Sequence, residues 1–157
     1  MSFKPILAAC AAAIVFSAPS YADTIMIQDA YARSATATAK TGAAFMSIMN
    51  HGAEDDRLIA VSSPVAKLVQ LHTHLENNMG VMKMVHVEDG FDLPVGGLLM
   101  LERGGNHVMM MGLTQPFEQG ETIPVTLTFE KAGEITVDVV IDRDRKAGLG
   151  AGHSHSD

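Results

Sequence analysis

The sequence predicts an all-β domain with the short strands and tight turns of a Greek-key β-sandwich or barrel. The clearest alternation of apolar and polar residues lies in Ile123–Phe129 and Ile135–Ile141. Clusters of Gly, Pro and Asn separate the apolar segments, as they do at turns between strands. Beyond the N-terminal 22 residues, no stretch of helical length repeats apolar residues at i, i+3 and i+4. We therefore expect one domain built of strands.

The alternation of apolar residues and the turns between them predict nine strands. The Asn-rich turn Leu75–Gly80 and the turn Glu130–Gly133 each join two strands as a hairpin. The segment Phe91–Gly97 is predicted to be a loop, because it contains Pro94 and two glycines. In chain order the predicted strands are Thr24–Ala32, Thr41–Asn50, Arg57–Ser62, Ala66–His74, Val81–Glu88, Leu98–Glu102, His107–Leu113, Ile123–Phe129 and Ile135–Ile141.

The N-terminal residues have the pattern of a signal peptide that is removed on export. A basic residue precedes the apolar run Ile6–Ala18, which is short for a membrane span. The small residues of Ser20–Ala22 predict cleavage after Ala22. As an alternative, Leu7–Cys10 resembles a bacterial lipobox, in which Cys10 would anchor the chain as a lipoprotein. The predicted division of the chain is a signal peptide at 1–22, a folded domain at 23–145 and a flexible, disordered tail at 146–157.

Charge and cysteine content exclude several classes of protein. The chain has 11 basic and 18 acidic residues, a formal net charge of −7, which argues against non-specific nucleic-acid binding. Cys10 is the single cysteine, so removal of the signal peptide leaves no thiol. The mature chain would then have neither a disulfide nor a thiolate metal ligand. It would also lack the cysteine of a blue-copper electron carrier and the thiols of a disulfide reductase.

Two segments, Leu71–Met84 and Asn106–Met111, combine histidine and methionine at alternating positions of predicted strands. Because residues i and i+2 of a strand point to the same face, each segment presents its imidazoles and thioethers together. Imidazole and thioether are neutral ligands, and in the absence of thiolate this soft set suits Cu(I). The candidate ligands are His72, His74, Met82, Met84, His107, Met109 and Met111.

The alternative is an ordinary apolar core, in which methionine is a common filler. Methionines that lie among aliphatic residues in strands, or that point away from the candidate ligands, are assigned to the core. Met79 falls in a hairpin turn, and His51 and His86 are predicted to be surface residues. The predicted core methionines are Met26, Met46, Met49, Met100 and Met110.

Four of the candidates fit a metal site better than a core. A histidine buried without a partner costs free energy, so the core interpretation suits the histidines poorly. The hairpin brings His72 near Met84, and a flexible Gly-Gly turn precedes His107 and Met109. Two imidazoles and two thioethers would form a neutral, soft site that prefers Cu(I) to Zn(II) or Mg(II). Spacing alone leaves both the metal site and the Met-rich core open.

The order and flanks of these residues resemble the periplasmic copper chaperone family that supplies Cu(I) to the CuA centre of cytochrome c oxidase. The resemblance covers most of the mature domain, roughly residues 25–140. It implies a cupredoxin-like β-sandwich with an exposed Cu(I) site. The matching residues are His72, Met84, His107 and Met109, with Gly104–Gly105 before the second histidine and Met111–Leu113 after the second methionine.

The resemblance implies that these two histidines and two methionines are the copper ligands. It also implies two partners, the copper-binding subunit of cytochrome c oxidase and a thioredoxin-like copper assembly protein. The chain departs from the family's spacing, since 11 residues separate His72 from Met84 and 22 separate Met84 from His107. Each gap is one residue longer than usual and contains a predicted turn that can accept an insertion. His74 and Met82 therefore remain rivals of His72 and Met84.

The C-terminal tail contains two histidines. His153 and His155 form a short tract of the kind that binds divalent metals loosely. Because some members of the family that the chain resembles carry C-terminal extensions with a Cu(II)-type site, the resemblance implies a weak Cu(II) site in this tail. The alternative there is an ordinary polar terminus.

A non-metal β-sandwich that binds a protein through a Met-rich face is the alternative function. An enzyme is not expected, because the sequence has no nucleophile elbow, zinc-binding HExxH or phosphate loop.

Overall fold

The computed structural model describes residues 24–146, which form ten β-strands and no helix. The predicted signal peptide with Cys10 and the tail with His153 and His155 lie outside these residues. No helix long and apolar enough to cross a membrane is present between residues 24 and 146. The strands are β1 (Ile25–Ser34), β2 (Thr41–Asn50), β3 (Asp56–Ser62), β4 (Ala66–Glu76), β5 (Met82–His86), β6 (Phe91–Leu93), β7 (Leu98–Leu101), β8 (His107–Leu113), β9 (Thr122–Phe129) and β10 (Gly133–Ile141).

The strands form one hydrogen-bonded sheet in the order β5-β4-β8-β2-β1-β10-β9-β3-β6. The strand β7 pairs with the second half of β2, and β8 pairs with the first half. Neighbouring strands are antiparallel except β1 and β10, whose short parallel contact joins Tyr31 to Val140 and Ala32 to Ile141. Buried side chains from both sides of this junction belong to one apolar cluster. The sheet therefore folds back on itself around a single core.

Alternation along each strand decides which face turns towards this core. In β9 the side chains of Ile123, Val125, Leu127 and Phe129 are at most 2% exposed, and the residues between them are partly exposed. Burial of each such side chain contributes about 1.5–3 kcal/mol. The same alternation buries Val108 and Met110 of β8 completely. His107, Met109 and Met111 alternate with them and consequently belong to the outer face of the sheet, whereas Leu113 at the end of the strand is again buried in the core.

The predicted all-β fold and both predicted hairpins are confirmed. The hairpin β4–β5 pairs Thr73 with Val85, and the hairpin β9–β10 pairs Phe129 with Gly133. The assignment of methionine to the core is confirmed for Met46 at 2% exposure and for the fully buried Met110.

The prediction of a loop over Phe91–Gly97 is wrong at its beginning. Residues Phe91–Leu93 form the short strand β6, which pairs with Asp56–Leu58 of β3. Phe91 and Leu93 are buried in the core, whereas the intervening residue is exposed. Pro94 ends this strand rather than preventing it, because it follows the last paired residue.

Two methionines assigned to the core are instead exposed. Met26 and Met100 are 44% and 41% accessible to solvent. Met26 follows the buried Ile25, and Met100 lies between the buried Leu99 and Leu101, so alternation turns both methionines outward. Met49, which is paired directly with Met26, is only half-buried.

Candidate metal centre

The candidate ligands share the outer face of three neighbouring strands, β5, β4 and β8. His72 lies in the middle strand, directly opposite His86 on one side and His107 on the other. His74 lies opposite Met84 in the next row of the sheet. We call this surface the His/Met face, and it comprises Met82, Met84 and His86 of β5, Gln70, His72 and His74 of β4, and His107, Met109 and Met111 of β8.

The four imidazole rings of this face lie close together. The ring centre of His72 is 5.7 Å from that of His86 and 5.9 Å from that of His107. The ring centres of His74 and His107 are 5.2 Å apart. Two imidazoles that bind one ion through nitrogen at about 2 Å have ring centres about 5–6 Å apart. Neighbouring histidines of this face are therefore spaced as two ligands of one ion would be.

Hydrogen bonding leaves one nitrogen of His72 available to a metal ion. Its Nε2–H donates to Oε1 of Gln70 at 3.1 Å, which places the proton on Nε2. Its Nδ1 is buried and has no hydrogen-bond partner among residues 24–146. A buried polar atom without a partner is costly, and a bound ion would satisfy it. The donor set and this unpartnered lone pair both fit a soft metal ion.

His107 is oriented by a backbone carbonyl. Its Nδ1–H donates to the carbonyl oxygen of Gly105 at 3.0 Å. The lone pair of Nε2 is therefore free to bind a metal ion. Nδ1 of His74 lies 3.3 Å from the same oxygen. Hydrogen bonds of this kind orient metal-binding imidazoles and set their tautomers. One carbonyl thus orients two of the four rings.

The turn between β7 and β8 holds this carbonyl in place. The Glu102 N–H donates to the Asn106 carbonyl at 2.7 Å, and the Gly105 N–H donates to the Glu102 carbonyl at 3.1 Å. Gly104 has a φ of 85°, a conformation that glycine adopts readily. The Thr73 hydroxyl donates to Oδ1 of Asn106 at 2.8 Å, which connects the turn to β4. The positive φ explains the glycine at position 104, and the hydrogen bonds fix the carbonyl of the residue that follows it.

Burial keeps the two central histidines neutral. Desolvation lowers the pKa of His72, and the neighbouring His107 and His86 lower it further. Desolvation also lowers the pKa of His107, which is only 3% exposed, against the opposing effect of its hydrogen bond to Gly105. Neutral imidazole is the form that binds a metal ion. Near neutral pH, neither ring has to lose a proton before it can bind.

The structure brings all four sequence-predicted ligands to one face, where they differ in their exposure to solvent. His107 is buried and Met109 is half-buried, whereas Met84 on the edge strand is 42% exposed. No group of three His, Cys, Asp or Glu side chains within the described part of the chain is arranged to hold a metal ion. The rivals His74 and Met82 lie on the same face.

Sequence reasoning underestimated three residues of this site. His86 is exposed, as predicted, but it lies opposite His72 with its ring nearby. Its position two residues after Met84 was the available signal. Gln70 precedes His72 by two residues on the same strand face. The Gly-Gly turn before His107 predicted a flexible turn, but not that the carbonyl of Gly105 accepts a hydrogen bond from the imidazole.

An aromatic pair packs beside the buried imidazole. The ring centre of Phe45 lies 6.3 Å from that of His107 and 5.1 Å from that of Tyr31. Phe45 is 6% exposed, so this contact closes one side of the site to water.

The fold and the His/Met face define a class of all-β protein with histidine and methionine side chains grouped on an outer sheet face. Sequence comparison identifies the family. A family model described as "Putative lipoprotein LpqE-like" matches residues 25–141, so the chain belongs to the LpqE-like family. A protein named "Putative lipoprotein Lxx21020" from Leifsonia xyli subsp. xyli (strain CTCB07) is 33% identical over 120 residues. The match covers 76% of this chain and 70% of that protein.

Solved structures with the same fold include copper-bound domains. The copper-bound PCuAC domain from PmoF2 has a TM-score of 0.62 and 27% identity, and the match covers 76% of this chain and 93% of that domain. The solution structure of CuI-DR1885 from Deinococcus radiodurans has a TM-score of 0.57 and 29% identity, with 73% and 76% covered. The cupredoxin-like fold and the family resemblance drawn from the sequence are therefore confirmed.

Proposed function

We propose that the protein is an exported chaperone that binds Cu(I) on its His/Met face and delivers it to another protein. The observation that supports this most strongly is the buried Nδ1 of His72, which has no hydrogen-bond partner among the described residues. It lies beside a neutral His107 whose Nε2 is free, on a face that also presents thioethers. The copper-bound PCuAC domain and CuI-DR1885 support copper as the cargo.

The proposed ligands are Nδ1 of His72, Nε2 of His107 and the sulfur atoms of Met84 and Met109. All four donors are neutral, and the thioethers favour Cu(I) over harder divalent ions. Gln70 and the Gly105 carbonyl hold the two rings by hydrogen bonds to their other nitrogens. Both rings are therefore oriented before copper arrives.

The gradient of exposure suits a carrier better than a permanent metal site. The exposed Met84 on the edge strand can be replaced first by a ligand of the receiving protein. Met109 and the imidazoles then follow, so copper passes between proteins without entering water as a free ion. Such ligand exchange requires no catalytic group, and we propose a carrier rather than an enzyme.

Replacement of Met84 by leucine tests the proposed ligand set. We expect Cu(I) affinity to fall by at least about 10-fold, since loss of an outer-sphere partner alone costs about 10- to 100-fold. The stability of the copper-free protein should change by less than about 1.5 kcal/mol, because leucine nearly conserves the volume. Competition with a chromophoric Cu(I) chelator measures the affinity, and urea unfolding measures the stability.

Met82→Leu is the matched control, since Met82 lies on the same face of the same strand. An equal or larger loss of affinity in this variant would make Met82 the ligand. The same comparison between His72→Ala and His74→Ala decides between the two histidines of β4. Absence of tight Cu(I) binding by the unmodified protein would favour the alternative function, a non-metal interaction module.

The receiving protein is proposed from the family resemblance. It is the copper-binding subunit of cytochrome c oxidase, with a thioredoxin-like copper assembly protein as a second partner. Mixing the copper-loaded protein with an isolated, copper-free CuA domain and then separating the two tests this step, because the copper content of each protein measures the transfer. Failure of transfer to both partners would contradict this part of the proposal and leave Cu(I) binding intact.

Export is proposed from the N-terminal pattern, in one of two forms. Cleavage after Ala22 would release a free periplasmic protein, whereas acylation of Cys10 would anchor it to a membrane. The lipoprotein names of the family and of the Leifsonia relative favour the second form. The mass of the exported protein distinguishes them, because only the anchored form retains Cys10 and carries lipid. Retention of an unprocessed chain in the cytoplasm would contradict both forms.

A further inference from the structure

The end of the β4–β5 hairpin exposes three methionines that are close in sequence. The exposed fractions are 84% for Met79, 53% for Met82 and 42% for Met84. Large apolar side chains exposed together mark a binding site on a protein surface. The proposed copper site uses only Met84, so the other two methionines require a separate explanation.

Sulfur is concentrated on one face of this hairpin. Met82 lies opposite Glu76 and Met84 lies opposite His74, and both pairs belong to the His/Met face. Leu75, which is 55% exposed, instead alternates to the other face. The hairpin thus adds thioethers, and no sulfur-free aliphatic residue, to the face that carries the histidines.

The register of the hairpin brings these side chains close to their partners. The Asn77 N–H donates to the Val81 carbonyl and the Val87 N–H donates to the Leu71 carbonyl, each at 2.9 Å. Hydrogen-bonded pairs alternate with non-hydrogen-bonded pairs in an antiparallel ladder. The methionine pairs fall between the bonded pairs, where opposite Cα atoms are only about 4.5 Å apart.

The tip of the hairpin is a structured turn. Oδ1 of Asn77 accepts hydrogen bonds from the N–H groups of Met79 and Val81, both at 3.0 Å. Gly80 completes the turn with a φ of 77°. Met79 is consequently held at the outer end of the hairpin, beyond Met82.

We propose that Met79 and Met82 form an outer thioether site that takes up Cu(I) and passes it by way of Met84 to His72 and His107. Exposure decreases along this path, from 84% at Met79 to 3% at His107. Thioethers stay unprotonated and select soft Cu(I), and the flexible methionine side chain can follow the ion. The carboxylate of Glu76 beside Met82 adds a negative charge that attracts the cation.

Passage along this path exchanges one ligand at a time. A Cu–N bond to an imidazole forms as a Cu–S bond to an outer methionine breaks, and copper remains Cu(I) throughout. This inward step rests on the proposed function, whereas binding at the outer site does not.

Titration with Ag(I), a redox-inert soft cation, tests the outer site. The probe is the NMR signal of methionine methyl groups labelled with carbon-13 in the full protein. We expect the first equivalent to shift the Met109 and Met84 methyl signals and the second equivalent to shift those of Met79 and Met82. The double variant Met79→Leu/Met82→Leu should lose the second equivalent, because leucine keeps the apolar surface and removes the sulfur.

The matched control is Met26→Leu/Met49→Leu, which removes two directly paired methionines from another part of the sheet. It should retain both equivalents. If the Met79 and Met82 signals shift no more than those of Met26 and Met49, the outer site is overturned. Retention of the second equivalent by the hairpin double variant would also overturn it, and would leave the hairpin as an apolar contact surface for a protein.

The variant His107→Ala separates this inference from the proposed function. It removes the buried imidazole and leaves the three hairpin methionines in place. Shifts of Met79 and Met82 in this variant would support the outer site even if the unmodified protein showed no inner binding. Inner binding by the unmodified protein without such shifts would overturn the outer site alone.

Discussion

Replacement of His107 by alanine is expected to lower Cu(I) affinity by more than about 100-fold, since loss of an outer-sphere partner alone costs about 10- to 100-fold. The reason is that His107 is the most buried candidate ligand, at 3% exposure, and already presents a neutral ring with Nε2 free. Removal of this ring also leaves the unpartnered Nδ1 of His72 without the neighbour that would share the ion. Competition with a Cu(I) chelator measures the affinity.

His51→Ala is the matched control, because His51 is an exposed histidine outside the His/Met face. It should bind Cu(I) like the unmodified protein. Circular dichroism of the copper-free variants verifies that the sheet is retained. A folded His107→Ala protein with unchanged affinity would contradict the assignment of His107 as a ligand.

Replacement of Phe129 by alanine is expected to destabilise the copper-free protein by about 3–5 kcal/mol. Phe129 is 2% exposed at the end of β9 and belongs to the core between the two parts of the folded sheet. Its truncation removes buried apolar surface and leaves a cavity that neighbouring strands can fill only in part. Urea unfolding monitored by circular dichroism measures the change in the free energy of unfolding.

Val140→Ala is the control, because Val140 is 44% exposed on the adjacent strand β10. We expect it to change stability by less than about 1 kcal/mol. The strands β10, β1 and β2 separate β9 from β8, so the folded fraction of Phe129→Ala should keep its Cu(I) affinity. A loss of affinity under conditions where this variant is folded would show that the core and the metal centre are coupled.

Much of the strand pattern follows from local chemistry. Ile123–Phe129 alternates so regularly that only a half-buried strand satisfies it, and the Asn-rich turn after β4 requires a hairpin. The errors arise where local pattern leaves the choice of face open. Met26 and Met100 have aliphatic neighbours in sequence, but those neighbours take the core side. Which of the two alternating sets of side chains faces inward depends on the partners of the strand in the sheet.

The candidate site divides in the same way. The i, i+2 spacing of His72 and His74, and of His107 and Met109, already predicts that each pair shares a face. The hairpin turn predicts that Met84 returns to that face. The register of β4 against β8 could not be predicted, because these strands are distant in sequence and their pairing depends on the whole sheet.

The sequence by itself determined the chemistry of this protein. Residues 24–146 offer imidazole and thioether rather than thiolate, in short segments whose alternation makes them strands. Only the tertiary structure decided which atoms are free to act. It placed His72 between His86 and His107, occupied Nε2 of His72 with Gln70, and directed the Gly105 carbonyl at Nδ1 of His107. The physical reason is that strand register and burial depend on long-range packing, whereas ligand type depends on the residues alone.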